Sequence, residues 1–345
     1  MPLKIVKDNI TAIRCDAIVS TVDVRMKPVS PIGDLKAKIP NEIVDCCKKI
    51  NARAVKVGDA VVSPSLELDC NLVIHTVLPE AGMVNEAAVC SCYKNALAVA
   101  KETNCSSIAL PFIAPTSDAA TREKLWRVAK NAVRDFLADH EMTIYLVAPK
   151  KEFCNPGKKL LDSVKKYISN VESSAARSDN GQAAHQANFS ATVETSHPNV
   201  VKFWTDGNTN AMPANYAMSL SSVGLDSMLR NLDKGFRDTL FYYIDKKGLS
   251  DVECYKRSNI DKKTFSKIRS NENYRPSKVT AVSFAVGLHL DMDETEHLLS
   301  TAGMCLSHSN KFDVIIEYFI ANGAYETIFD VNEVLYQFDQ SLLGV

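Results

Sequence analysis

The sequence predicts an α/β domain on a mixed, largely parallel sheet, followed by an all-α domain. Two patterns carry this expectation: short apolar runs alternate with helical periodicity over residues 1–170, and helical patterning is continuous over 231–345. Between them, residues 171–230 lose both periods. At 345 residues the chain is long enough for two cores.

The first strands are read in "LKIV", "DAIVS", "DAVVS", "NLVIHTV", "SSIALPF" and "TIYLVA". Several are apolar without alternation, as expected of strands covered on both faces. Helices are predicted over 86–101, 121–137 and 156–168, the second because Leu125, Val128, Ala129, Ala132, Val133 and Phe136 form one stripe. A sheet of this kind places ligands at the carboxyl ends of its strands, where residues 114–120 fall. The stretch "VESSAARSDNGQAAHQANFSATVETSHPN" has too little apolar area to offset its ordering entropy and is expected to be a flexible linker. Its later part, with Phe203, Trp204 and Tyr216, reads alternatively as a short docking segment. Beyond it, Gly248, Pro276, Gly303 and Gly323 punctuate the helices.

Composition excludes extremes. Hydrophobic residues make up 46%, charged residues 23%, and the net charge is −1, so any electrostatic function must be local. No apolar run approaches the ~20 residues that span a bilayer, and the start of the chain lacks a secretory pattern. A cytoplasmic protein with no membrane contact is expected. Its ten cysteines have no zinc-ligand spacing and are expected to be reduced, with no metal site. His75, in an apolar strand, reads as a hydrogen-bonded core histidine.

In order and spacing, "ITAIRCDAIVSTVD", "VGDAVVSPSLELDCNLVIHTVLPE", "CYKNALAVAKETNCSSIALPFIAPTSDAATREKLWRVAKNAVRDFL" and "IYLVA" resemble the macrodomain family. The resemblance implies a three-layer α/β fold that binds ADP-ribose and related nucleotides, and in some members hydrolyses ADP-ribosyl esters. The residues that do that work differ here. Where the family has an Asp for the adenine amine, this chain has Asn9, followed by Ile10. Where paired amides orient the distal ribose, it has Ser20-Thr21-Val22-Asp23. The glycine run around the diphosphate corresponds to Val29-Ser30-Pro31-Ile32-Gly33-Asp34. The second phosphate loop reads Ala114-Pro115-Thr116-Ser117-Asp118-Ala119-Ala120-Thr121, without glycine and with an added carboxylate. Each lost backbone contact forfeits ~1–3 kcal/mol, against ~8 kcal/mol for micromolar affinity. The candidate cleft is thus Asn9, Ile10, Ser20, Asp23, Gly33, Asp34, Ala114, Thr116, Ser117, Asp118 and Ala119, with no catalytic residue and no cofactor. Two readings follow: drift of an unused pocket, or repurposing for another, less anionic ligand or for a protein partner.

The stretch from Gly248 to Ser307 resembles a phage-repressor-type helix-turn-helix. A first helix near 250–257, the turn "SNI" and a second helix from Asp261 to Arg269 leave Phe265 and Ile268 inward. Lys262, Lys263, Ser266, Lys267 and Arg269, with Arg275 beyond, form a candidate nucleic-acid surface. Residues 246–278 hold ten Lys/Arg against four Asp/Glu, in an otherwise acidic region. That suits a phosphate backbone or an acidic protein partner. The tail stripes, Phe312, Ile315, Ile316, Phe319 and Ile328, Val331, Val334, Leu335, Phe338, complete a core or pair two chains into a homodimer. Together these features resemble bacterial two-domain proteins. They predict a non-enzymatic sensor or regulator, with a working ADP-ribose binder or hydrolase and a protein-protein adaptor as alternatives.

Overall fold

The computed structural model describes residues 3–7, 9–27, 29, 55–65, 68–80, 85–114, 116, 118–148, 156–178 and 235–344. Six strands form one sheet: β1 (Leu3–Val6), β2 (Ala17–Val22), β3 (Ala60–Pro64), β4 (Leu72–Val77), β5 (Ser107–Pro111) and β6 (Thr143–Val147), in the order β1-β6-β5-β2-β4-β3. All neighbours are parallel except β3, which runs antiparallel to β4. Alternation along each strand divides the buried side chains between the faces. Leu3, Ala17, Val19, Ile74, Ile108, Leu110, Ile144 and Leu146 join the core beneath helices α1 (Glu86–Glu102) and α2 (Ala119–Asp139). Ile18, Ala109 and Val147 face the other way and are covered by Ile10 and Ile13. Ile10 lies in a single 3-10 turn, Ile10–Ala12. The strands and the first two helices expected from sequence are present with small shifts at their ends, but the helix expected over 156–168 runs Lys158–Ser178, so the first residues read as a flexible linker are helical.

Helix α3 (Lys158–Ser178) follows β6. By contact the chain divides after Val171, and of residues 172–234 only those through Ser178, the end of α3, are described. The rest of the segment read as a linker lies outside the described residues.

Seven helices follow: α4 (Phe236–Lys246), α5 (Asp251–Arg257), α6 (Lys262–Ser270), α7 (Lys278–Gly287), α8 (Met292–Ser300), α9 (Lys311–Asn322) and α10 (Ile328–Gln337). Side-chain caps explain where several begin. Ser250 and Glu253 form a capping box on α5, Asp261 caps α6 through the Thr264 N–H, and Asp291 with Glu294 boxes α8. The tail stripes read from sequence are core: Ile315, Ile316, Phe319, Val331, Val334 and Leu335 are fully buried within the chain.

These helices share one hydrophobic core with the sheet and α1–α3. Polar contacts fix the register of that junction. Glu333 of α10, 3% exposed, accepts from Trp126 Nε1 at 3.0 Å and meets Lys130 Nζ at 2.8 Å. Asp330 takes the same ammonium at 2.8 Å. Burial pushes the Glu333 carboxyl up despite Lys130. Burial alone would lower Lys130, yet the two facing carboxylates outweigh it and hold the ammonium above its ordinary range. At the sheet edge, Asn259 acts as a one-residue strand: its Oδ1 accepts the Leu3 N–H at 2.8 Å and its Nδ2 donates to the Leu3 carbonyl at 3.0 Å. This settles two backbone groups that an edge strand leaves open. Asn259 stands at φ 55°, a region asparagine tolerates better than most residues. Gly287 lets α7 approach that turn, because a Cβ there would lie 2.6 Å from the Ser258 Cα. Tyr336 Oη donates to the Ala148 carbonyl at 2.6 Å, and Tyr167 Oη to Glu317 at 2.9 Å.

Replacing Glu333 leaves both Trp126 and part of the Lys130 charge without their buried partner. Glu333→Ala is expected to cost about 3 kcal/mol in urea unfolding, and Glu333→Gln, which keeps an acceptor for Trp126, clearly less.

Candidate functional site

β2 and β5 are parallel neighbours, joined where Ala17 pairs with Ile108 and Ile18 with Ala109, so their carboxyl ends point the same way. Of the cleft residues read from sequence, most of those described are engaged in local structure. Asn9 caps the 3-10 turn: its Oδ1 accepts the Thr11 N–H at 3.1 Å and the Thr11 hydroxyl at 3.0 Å. Ile10 is fully buried, and Ser20 is 3% exposed within β2.

Asp23 begins a tight turn after β2. Its Oδ1 accepts the N–H groups of Arg25 at 2.9 Å and Lys27 at 2.8 Å, with Met26 at φ 57°. The chain then returns to β2, where the Val29 N–H reaches the Thr21 carbonyl at 2.9 Å and the Thr21 hydroxyl donates to the Val29 carbonyl.

The loop after β5 is held from beneath by Tyr93, whose hydroxyl donates to the Pro111 carbonyl at 2.9 Å and accepts the Ile113 N–H at 2.8 Å. Ala114 accepts the Thr116 N–H at 2.8 Å, and the Thr116 hydroxyl accepts the Asp118 N–H at 3.1 Å. Asp118 then closes the helix: its carboxylate accepts the Thr121 N–H at 2.7 Å. Bonds from Thr121 hold that carboxyl below its ordinary value. Ala119 is the first residue of α2. A helix start whose N–H groups would otherwise face an anion is thus filled by the chain's own carboxylate. Gly33, Asp34 and Ser117 lie outside the described residues, as do Pro31 and Pro115.

His75 is a core residue. It is 1% exposed on β4, and its Nε2 lies 2.7 Å from the Ser63 hydroxyl on β3. Among the described residues no group of three or more His, Cys, Asp or Glu is placed to hold a metal. No helix among them is long and apolar enough to cross a membrane.

The second candidate surface lies on α5 and α6. Phe265 and Ile268 are buried, Phe265 against Phe241, Tyr255 and Phe284, as the inward face requires. Lys262, Lys263, Ser266, Lys267, Arg269 and Arg275 are all exposed. Arg269 is nevertheless occupied: it pairs with Asp251 at the start of α5 and lies over the Phe241 ring at 5.4 Å. The wider basic run is partly neutralised as well. Lys246 and Lys247 meet Glu294 at 2.7 and 3.1 Å, and Lys278 meets buried Asp313 at 2.5 Å.

Residues 31–123 match the family model for the macro domain. The N-terminal region is a macro domain. The chain is similar to a macro domain-containing protein of Methanosarcina mazei, 27% identical over 168 residues, or 47% of this chain and 89% of that protein. A macro domain-containing protein of Ralstonia nicotianae is 27% identical over 147 residues, 41% of this chain and 85% of that protein. Among solved structures, the Oceanobacillus iheyensis macrodomain with MES bound aligns at a TM-score of 0.40 with 21% identity, covering 44% of this chain and 85% of that one.

The exposed basic face of α6 was legible in the sequence, whereas the junction between the macro domain and the helical region was not. Two signals were there to use: Trp126 is one of only two tryptophans, and Glu333 interrupts an apolar stripe.

His75 gives this region a defined pH response. Burial lowers its imidazole from 6.5 to about 4, so the folded protein stays neutral where the unfolded chain takes up a proton. Stability is therefore complete above the unfolded value and falls as pH drops through the window between the two. Relative to His75→Gln, the wild type is expected to lose about 3 kcal/mol between about pH 7 and about pH 4 in urea unfolding.

Proposed function

We propose that this protein is a non-enzymatic regulator whose macro domain has lost the phosphate grip and whose α5–α6 pair contacts nucleic acid. One observation carries the first half: the polar groups at the loop after β5 are engaged with each other, ending in Asp118 on the α2 N-terminus. A diphosphate would have to displace that carboxylate and would meet its charge. Asn9, in the position of the family's adenine-binding Asp, is likewise turned onto Thr11.

The second half rests on α6. Its capped start, its buried Phe265 and Ile268 and its outward Lys262, Lys263, Ser266 and Lys267 have the polarity of a helix laid into a major groove. Arg269 orients α6 against α5 instead of reading bases. With few side chains suited to bidentate base recognition, contact is dominated by phosphate. Under this reading the residues before about 170 and after about 231 divide the work, with the intervening segment as a connection. An acidic protein surface is the alternative partner for the same lysines.

The competing reading is a working ADP-ribose binder, which the family match favours. Calorimetry separates the two: ADP-ribose is expected to give no saturable heat at micromolar concentrations, and tight binding overturns the proposal. Duplex DNA is expected to bind with an affinity that falls steeply with salt. Lys263→Glu with Lys267→Glu reduces the log-log slope by about 2 and weakens binding across sequences. No DNA binding at low salt leaves the protein partner.

A further inference from the structure

A cavity of about 360 Å³ lies where the end of α2 meets α5, the end of α7 and the start of α10. Its volume falls at the small end of organic-ligand pockets, roughly 300–1,000 Å³. None of its lining residues is a cleft residue of the macro domain, and most of its wall comes from the helical region.

The cavity has two chemically distinct parts. Leu137, Val286, Ile328 and Phe329 give it an apolar floor continuous with the core. The rim is cationic. Arg257 makes no ion pair or hydrogen bond among the described residues, although it is a permanent charge at the mouth. Lys256 Nζ donates to the Ala138 carbonyl at 2.5 Å, which uses one of its three donors. Arg134 has only a 3.4 Å contact with the neighbouring Asp135.

Two carboxylates also border the space. Glu253 is turned back on its own helix start, accepting the Ser250 N–H at 2.9 Å and hydroxyl at 2.8 Å. It makes no direct ion pair with Arg257 among the described residues, although the Arg257 charge, after those two bonds, helps hold its carboxyl below the ordinary value. With Glu326, two carboxylates stand against the three cations Arg134, Lys256 and Arg257, which leaves the rim net positive. His289, which lies flat on Tyr325 with centroids 4.9 Å apart, registers the resulting field. Burial first, then the Arg257 and Lys247 charges, depress its imidazole.

We propose that this cavity binds a small amphiphilic anion, with an apolar or aromatic body on Leu137, Val286, Ile328 and Phe329 and an oxyanion head at Arg257 and Lys256. Such a ligand touches the macro domain and the helical region at once. Its binding strengthens their junction next to the Asn259 turn that leads into α6. The site stands whether or not α6 contacts nucleic acid.

The test uses the full chain and three probes of one shape: 1-naphthyl phosphate, 1-naphthoate and uncharged 1-naphthol, each titrated by calorimetry. The two anions are expected to bind at a single site at least tenfold tighter than 1-naphthol. Arg257→Gln, at an exposed side chain, lowers both anion affinities at least tenfold and leaves 1-naphthol unchanged. Ala138→Trp, which fills the mouth from an exposed position, abolishes binding of all three without lowering the thermal midpoint. Absence of saturable anion binding up to millimolar concentration overturns the assignment. So does equal affinity for 1-naphthol, or an Arg257→Gln variant that binds the anions as the wild type does.

Discussion

A lysine ammonium and two carboxylates enclosed between a sheet-covering helix and the last helix of the chain cannot be left apart. Lys130 belongs to α2 and Asp330 and Glu333 to α10, and withdrawing either helix strands charges that burial has already stripped of water. The indole N–H of Trp126 completes the set. Apolar contacts between α2 and α10 supply attraction without direction. The ionic cluster supplies direction, because only one relative placement satisfies all four groups. Asn259 does the same at the sheet edge, where its amide serves both backbone groups of Leu3.

From that constraint follows the setting of both candidate sites. The cleft residues read from sequence follow β2 and β5 in the chain, while the junction runs from Leu3 at the β1 edge to Trp126 of α2 and the Ala148 carbonyl after β6. The α5–α6 turn is therefore tied to the macro domain through Asn259, yet the lysine face of α6 stays in solvent. The basic helix is carried on a fixed support, as a contact surface requires.

Much of this was legible beforehand, for identifiable reasons. Strand and helix periods are local, so β1–β6 and α1, α2 followed from spacing, and Asp261 announced the start of α6 by its own chemistry. The inward direction of Phe265 and Ile268 was equally local. The use of Asn9 and Asp118 as caps and of Asp23 as a turn acceptor was not foreseen, because the same residue types could have faced a ligand, and only backbone geometry decides. The junction was least legible. Asn259 and Leu3 are 256 residues apart, and Trp126 and Glu333 are 207 apart, a separation no periodicity encodes. Arg269 belonged to the basic surface by its charge and is instead held by Asp251 and Phe241.

The central claim is that the macro domain and the C-terminal helices open as one cooperative body. Native-state hydrogen exchange followed against denaturant tests it most directly. Amides of β2 and β5 in the sheet and of α10 in the helical region are expected to converge on one opening free energy, with the Leu3 amide following them. Exchange of the α7, α9 and α10 amides at a distinctly lower free energy, while the sheet amides remain protected, contradicts the account.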